Sequence, residues 1–369
     1  CKALYKVLAE EQSQHVFLQG LFASSSVLVL STLSDQETQR LYLVVLNDQE
    51  EAAYFYHDLS QTIGESSVLY FPSAYKRAAK YGQKDDANEI LRTEVLSKMT
   101  TFSNSNKSLF VVTSPEAIAE SVVSKENLDS NSIYVKSGTT IDRDALQDQL
   151  FELGFERVDY VYEPGQYAIR GSILDIFSFS SEYPLRIDFF GDEVDSIREF
   201  ELETQLSKNK VDIDSIRQFS IESQLSLETI EDAVIVPRMQ RKGDNSVSLL
   251  NFMPSNSVVL AKDLLWIADK VASIKREVDN SDSLASHIRE IESKERPDIV
   301  DPTSFLKLFY SFKKVEFGTK PTGTPDSAIQ FDTSVQNLFH KNFDLVSSTF
   351  TDYIVKGYKI FILSDSVKQ

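Results

Sequence analysis

Residues 41–48 are the segment that most constrains the fold of this 369-residue chain. They read LYLVVLND, a continuous apolar run that ends in Asp48. Such a run is typical of a strand in a parallel sheet that is buried on both faces. A strand with one solvent-exposed face would instead alternate polar and apolar residues. Residues 50–63 then have helical spacing with acids in the first turn. The same order of strand, turn and helix recurs at 68–72 and 108–118.

The spacing of these segments predicts three parts. Over residues 1–128, the alternation of strands and helices predicts an α/β fold with a parallel sheet and a helix at 86–99. Residues 129–215 read as a helix from Arg143 to Leu153 followed by short strands and glycine turns, which predicts an inserted small α+β domain with an antiparallel sheet. Residues 216–369 return to mixed α/β.

Particular elements follow from the same patterns. In the middle part we expect strands and turns over 158–164, 166–179, 183–192 and 193–202, with turns at Gly165 and Gly171 and a hairpin turn at Gly191-Asp192. In the last part we expect a strand at 257–263, a long helix running through Trp266, Ile274, Ile288 and Ile291, and a loop at 320–327. A helix from 343 then stops at Gly357 before a buried strand.

Composition excludes several classes of protein. Hydrophobic residues make up 41% of the chain, which argues against disorder. The net charge of −18 argues against a protein that grips duplex DNA with its whole surface. One cysteine, Cys1, and four histidines without metal-ligand spacing predict no metal site and no cofactor. We find no run long enough to span a membrane, and we expect a cytoplasmic protein. Because the chain starts at Cys1 and ends just after a strand-like run, we expect a fragment of a longer protein.

Residues 17–33 resemble the start of a nucleotide-binding unit. They consist of a short apolar segment, a glycine, a loop of small residues and an apolar segment with helical character. A working phosphate loop has the pattern GxxxxGK[ST], in which the lysine contacts the phosphates and the hydroxyl binds Mg²⁺. Counted from Gly20, those three positions are Ser25, Ser26 and Val27. The loop is therefore predicted to be degenerate and non-functional, although the helix N-terminus still favours an anion.

The sequence YPLRIDFFGD at 183–192 holds the second candidate site. Period-two alternation separates Leu185, Ile187 and Phe189 from Arg186, Asp188 and Phe190. An exposed aromatic residue beside an arginine is typical of a protein–protein interface. The alternative is that Phe190 covers a second small core and that Arg186 pairs with Asp188 or Asp192. Spacing alone leaves the role of Arg170, in YAIRGSILD, open between the same sheet face and a solvated strand position.

Residues 154–207 resemble the second domain of bacterial transcription-repair coupling factors, the Mfd family. The run GFERVDYVYEPGQYAIRGSILDIFSFSSEYPLRIDFFGDEVDSIREFELETQLS carries the resemblance. The likeness extends to the UvrB-like N-terminal module of that family, with domain 1a at 1–128, domain 2 at 129–215 and domain 1b at 216–369. The family is related to the repair protein UvrB, which has an intact phosphate loop and a long Tyr-rich hairpin. Neither feature is expected here, since KRAAKYGQKDD at 76–86 is too short for the hairpin.

The resemblance implies a function. The UvrB-like module of the family recruits UvrA to stalled transcription complexes, and it does so through domain 2. By motif, the contact residues correspond to Arg170, Arg186 and Phe190. The resemblance further implies that RNA polymerase, DNA and ATP are engaged by domains absent from this chain, and that a C-terminal domain masks the UvrA surface. Three alternatives stay open: a degenerate nucleotide hydrolase, a UvrB-type DNA-binding module, and a structural or autoinhibitory scaffold.

Overall fold

A computed structural model gives the architecture of the chain. The structure describes residues 2–10, 14–35, 38–75, 85–102, 107–208, 229–238, 246–285, 298–333, 339 and 342–360. In these residues, strands form a seven-stranded sheet, a five-stranded sheet and two short pairs.

The seven-stranded sheet is parallel throughout, and its strand order is β16-β1-β15-β14-β2-β4-β3. The central strands are apolar on both faces, and residues 41–45 are fully buried. This confirms the parallel α/β fold class predicted from the run at 41–48. The strands of this sheet are β1 (His15–Gln19), β2 (Leu41–Val45), β3 (Val68–Phe71), β4 (Leu109–Thr113), β14 (Val258–Ala261), β15 (Lys313–Glu316) and β16 (Ser327–Gln330).

Helices cover both faces of this sheet and enclose two cores. One core packs Tyr42 and Val44 against α1 (Lys2–Ala9), α2 (Ser25–Ser31) and α3 (Gln49–Ile63). The other packs Leu43 on the opposite face against a second set of helices. This set comprises α4 (Asp86–Thr101), α5 (Pro115–Ala119), α8 (Leu264–Ala285) and α9 (Pro302–Ser311).

Local signals place these helices as predicted. Asp48 is the N-cap of α3, because its side chain accepts the Glu51 amide at 2.9 Å. Gly357, with φ +84°, ends α10 (Phe343–Val355). The strand predicted beyond it, and the helical positions Ile288 and Ile291, lie outside the described residues.

The five-stranded sheet forms the middle part of the chain, and its order is β11-β10-β9-β8-β7. Its strands pair antiparallel except β7 with β8, which run parallel. Helix α7 (Arg143–Glu152) covers its apolar face. The strands are β7 (Glu156–Arg157), β8 (Gln166–Arg170), β9 (Ile173–Ile176), β10 (Leu185–Phe190) and β11 (Glu193–Glu199). Two-residue turns join β8 to β9 and β10 to β11, so the predicted turn at Gly191-Asp192 is confirmed.

One strand of the middle part was predicted wrongly. Residues 158–164, where the sequence favoured a strand, are irregular. Val161 is buried and Val158 is partly buried, and both pack in a small separate core with Phe177 and Phe200. A period of two would place these two valines on opposite faces because they are three positions apart, so tertiary packing decided the backbone conformation.

Two short strand pairs connect segments that are distant in the sequence. The strand β6 (Ile133–Lys136) pairs antiparallel with β12 (Asp232–Ile235), and both pack in the core of the five-stranded sheet. The strand β5 (Val122–Val123) pairs with β13 (Ser246–Val247), close to α6 (Lys125–Ser130). The chain therefore returns to the middle core after residue 228, and the three-part division at 128 and 215 stays a prediction.

No helix among the described residues combines the length and the apolar character needed to cross a bilayer.

A buried ion pair fixes the carboxyl edge of the parallel sheet. Arg92 of α4 is 1% exposed, and its Nη1 lies 3.1 Å from Oε2 of Glu120. Glu120 also accepts the Ser73 hydroxyl and the Ala74 amide, which follow β3. Removing one partner of such a pair leaves an uncompensated charge in a dry environment.

We therefore predict that Glu120→Gln lowers the free energy of unfolding by about 3 kcal/mol. The matched control is Asp279→Asn, which breaks the more exposed Lys275–Asp279 pair on α8 and is expected to change that free energy by under about 1 kcal/mol. Urea unfolding followed by the fluorescence of Trp266, the one tryptophan of the chain, measures both. Equal effects of the two substitutions would contradict a structural role for Glu120.

Candidate functional site

The outer face of the five-stranded sheet carries the residues singled out from the sequence. In β10, Leu185, Ile187 and Phe189 are buried, which confirms the predicted alternation. Arg186, Asp188 and Phe190 lie on the opposite side of the strand. We call this side the arginine face and define it by its charged and aromatic residues, Arg170, Asp175, Arg186, Asp188, Phe190 and Arg198.

Asp175 joins the two predicted arginines. In the sheet register it lies opposite Arg186 on one neighbouring strand and Ala168 on the other, two residues from Arg170. Its side chain is 1% exposed, and its two carboxylate oxygens accept Arg186 Nε at 2.7 Å and Nη2 at 2.9 Å. Arg170 Nη2 also donates to Asp175. The carboxylate thus fixes both guanidinium groups at the sheet surface.

The two arginines differ in how much they offer to a partner. The Arg186 side chain is 13% exposed, its Nη1 donates to the Gln205 carbonyl at 3.1 Å, and its guanidinium lies over the Phe200 ring. The Arg170 side chain is 34% exposed and lies over the Tyr160 ring. Arg186 is therefore mostly enclosed, whereas Arg170 keeps an open edge.

Phe190 is the most exposed member of the face, at 82%. It ends β10, directly before the glycine turn, and pairs with Glu193 of β11. The alternative in which Phe190 covers a second small core is wrong, because that core consists of Val161, Ala168, Phe177 and Phe200. An exposed phenylalanine is a large apolar surface available to a partner.

Arg186 also does not pair with Asp188 or Asp192, as the same alternative required. Asp188 instead pairs with Arg198 of β11. Burial and the neighbouring Arg186 lower the pKa of Arg198, whereas Asp175 opposes this shift. The arginine face therefore holds two carboxylates and three guanidinium groups. Its defining residues carry a net charge of +1, although the protein as a whole is acidic.

Sequence reasoning missed three residues of this arrangement. Asp175 interrupts an apolar strand, and a lone acid in such a strand is the signal that points to a buried ion pair. Gln205 adopts φ +57° and accepts Arg186, and nothing in its sequence context indicates this. Tyr160 lies in the segment that was predicted as a strand.

The predicted phosphate loop is closed by its own side chains. Gly20 follows β1, and Ser25 starts α2, a helix of seven residues. The Ser25 hydroxyl accepts the Phe22 amide at 2.7 Å and donates to the Phe22 carbonyl. The Ser26 hydroxyl donates to the Ala23 carbonyl, and Val27 is buried in the core. Both hydroxyls are thus bound to the backbone of the preceding turn, and Ser26 and Val27 supply neither the lysine charge nor the Mg²⁺-binding hydroxyl that a working loop has at these two positions.

The pocket beside this loop has the wrong charge for phosphate. Carboxylates of Glu51 and Asp58 line it, together with Lys262. The Lys262 ammonium pairs with Glu51, and the Ser24 hydroxyl contacts Asp58 at 3.4 Å. Phosphate groups in this pocket would meet two negative charges and one lysine that is already paired.

For metals, the described part of the chain contains no group of three or more His, Cys, Asp or Glu side chains placed to hold an ion. Two of the histidines, His287 and His340, lie outside that part, as does Cys1.

A family model of known proteins matches the middle part of the chain. Residues 133–212 match the family model of the UvrB interaction domain. The match covers β6 through β11, and so contains the whole arginine face.

Transcription-repair-coupling factors resemble a longer stretch. The protein of Haemophilus influenzae is 29% identical over 201 residues, which are 54% of this chain and 17% of that protein. The Bacillus subtilis protein is 30% identical over 190 residues, 52% of this chain and 16% of the relative. The Escherichia coli protein is 44% identical over 85 residues, which are 23% of this chain and 7% of that protein. The resemblance to this family is confirmed, and the chain spans less than a fifth of the length of each relative.

The close approach of the backbone at Gly20, where the degenerate loop begins, can be tested by substitution. This residue has φ +85°, and a Cβ there would lie 2.3 Å from the Phe331 carbonyl oxygen, next to β16. The matched control is Gly64, which has φ +90° and open space around it. We predict that Gly64→Ala lowers the free energy of unfolding by about 1 kcal/mol, and Gly20→Ala by about 1–3 kcal/mol more. Urea unfolding measures both, and equal losses would contradict the close approach at Gly20.

Proposed function

We propose that this chain acts in transcription-coupled nucleotide excision repair as a UvrB mimic, and that its arginine face binds UvrA. In this proposal Arg170, Arg186 and Phe190 are the residues on which binding depends. Binding brings UvrA to DNA where RNA polymerase has stalled. The proposal further places the protein in the bacterial cytoplasm, where that machinery works.

One observation carries this proposal. The segment that matches the UvrB interaction domain is the same segment that displays a largely exposed phenylalanine on one sheet face with two prearranged arginines. Interface hot spots are enriched in aromatic residues and arginine, and they gain from side chains that are ordered before binding. Asp175 supplies that order, because it fixes both guanidinium groups without a partner.

We expect the three residues to contribute to UvrA binding in different ways. Phe190 offers apolar area, and Arg170 offers an open guanidinium edge to a partner acceptor. Arg186 uses Nε and Nη2 on Asp175 and Nη1 on Gln205. Its loss would therefore disturb both the contact surface and the fold beneath it.

The further partners that the resemblance implies are proposals as well. We propose that RNA polymerase, DNA and ATP are engaged by other parts of a longer protein, and that a C-terminal domain masks the arginine face until transcription stalls. Masking would make UvrA binding conditional on a conformational change.

We also propose that this chain has no nucleotide hydrolysis of its own. The closed loop at Ser25 and Ser26 supports this, as do the carboxylates of Glu51 and Asp58 in the adjacent pocket. A UvrB-type DNA-binding role has less support, because the net charge is −18. Most of the segment in which UvrB carries its hairpin, residues 76–84 here, lies outside the described residues.

The first test is titration of UvrA with this chain by calorimetry. We predict that Phe190→Ala and Arg170→Ala each weaken binding by at least about tenfold, the size expected for a central interface residue. The matched control is Phe151→Ala, since Phe151 is 77% exposed but lies on α7, which covers the opposite face of the sheet. That variant should bind UvrA like the unmodified chain.

Other results of this titration separate the alternatives. Equal binding by all three variants would move the contact elsewhere on the chain. No binding by the unmodified chain would favour the scaffold function. Arg186→Ala is expected to lower both the affinity and the unfolding temperature, so its affinity is interpreted only beside its thermal melt.

The second test concerns nucleotide. We predict no measurable heat when Mg²⁺-ATP is titrated into the chain, and no change with Ser26→Lys, because the neighbouring carboxylates and the closed loop remain. An intact P-loop ATPase titrated in parallel shows that the assay detects binding. Saturable binding at micromolar ATP would revive the nucleotide hydrolase as an alternative.

A further inference from the structure

Two exposed apolar residues lie beside the arginine pair, and neither belongs to the motifs that singled out the face. Tyr160 is 51% exposed and Leu206 is 67% exposed. Both stand in irregular segments that fold over the outer side of the sheet. Large apolar side chains that are held outward next to a proposed interface are candidates for its extension.

Tyr160 is held against Arg170. The Arg170 guanidinium carbon lies 4.9 Å from the centre of the Tyr160 ring, within the range of a cation–π contact. Beside Tyr160, Val161 is buried, which anchors the segment. Two amides that follow, those of Tyr162 and Glu163, donate to the Gln166 side chain. The ring is therefore ordered and open to solvent before any partner binds.

Leu206 is presented by a turn that is tied to Arg186. Gln205, directly before it, has a left-handed backbone, which a residue with a side chain rarely adopts. Its carbonyl, in the peptide bond to Leu206, accepts Arg186 Nη1 at 3.1 Å. Its side-chain amide donates to Leu202 at 2.9 Å and to Val161 at 3.2 Å. These bonds connect the turn to Arg186 and to the Tyr160 segment.

We propose that the UvrA-binding surface extends from Phe190 across the arginine pair to Tyr160 and Leu206. This inference rests on the proposed function and adds two contact residues to it. The extended surface combines two aromatic rings, a leucine and an open guanidinium edge. The partner surface it fits is apolar and carries a carboxylate that Arg170 reaches.

The hydrogen bonds of Arg186 also give this residue a role in ordering its neighbours. Through Asp175 it orders Arg170, and through Gln205 it orders the turn that displays Leu206. Arg186 is thus a positioning residue for both ends of the surface.

The test uses the whole chain and UvrA in calorimetric titrations. Leu206→Ser and Tyr160→Ala are each expected to weaken binding about tenfold. Tyr160→Phe keeps the ring and should bind like the unmodified chain. The control for Leu206 is Leu265→Ser, because Leu265 is 57% exposed on α8, outside the matched domain. Thermal melts of all variants should agree with that of the unmodified chain, since the substituted side chains are exposed.

Failure of this inference is distinct from failure of the proposed function. If Phe190→Ala loses binding while Leu206→Ser or Tyr160→Ala keeps it, the extension is overturned at that residue and the proposed function stands. If the unmodified chain does not bind UvrA, both fall. A measurement without substitutions checks the same point: UvrA should protect amides of residues 158–163 and 201–206 from hydrogen exchange, and unchanged exchange in both segments would overturn the extension.

Discussion

The buried carboxylate of Asp175 is the interaction on which the arrangement of the arginine face depends. It is almost fully enclosed, so an unpaired charge there would be strongly unfavourable. Arg186 satisfies it from the neighbouring strand with two bonds, and Arg170 adds a third. Because Arg186 is bound by two nitrogens of its planar guanidinium, the carboxylate sets its orientation, and the single bond from Arg170 Nη2 holds that side chain beside it. Such pairs add little net stability, and their contribution here is a fixed geometry.

Further hydrogen bonds connect Arg186 to segments that lie outside the strands. Arg186 reaches the Gln205 carbonyl, and Gln205 in turn bonds to Val161. Irregular segments on the outer side of the sheet are thereby joined to the strands beneath them. A surface that is ordered in advance loses less conformational freedom when a partner binds, which favours affinity at a given area.

The parallel sheet and the five-stranded sheet differ in the sites that they carry. The parallel sheet keeps the frame of a nucleotide-binding fold, yet its loop after β1 is closed by Ser25 and Ser26. With two carboxylates in the adjacent pocket, that site has lost the features that bind phosphate. Fold and chemistry are thus separate in this chain: the parallel sheet supplies the frame, and the proposed UvrA-binding surface lies on the five-stranded sheet.

The sequence by itself determined the layered parallel sheet, the strand alternation that exposes Phe190, the glycine turn after it and the degenerate loop at Gly20. These features follow from local rules, since periodicity reports burial and glycine reports a positive φ. Tertiary structure alone decided the partner of Arg186, the backbone at 158–164 and the placement of Tyr160 and Leu206. Spacing along β10 suggested Asp188 or Asp192 for Arg186, but the register brings Asp175 of the neighbouring strand opposite it. That pairing depends on the register between β9 and β10, which are joined by residues 177–184, and the spacing along β10 alone does not contain it.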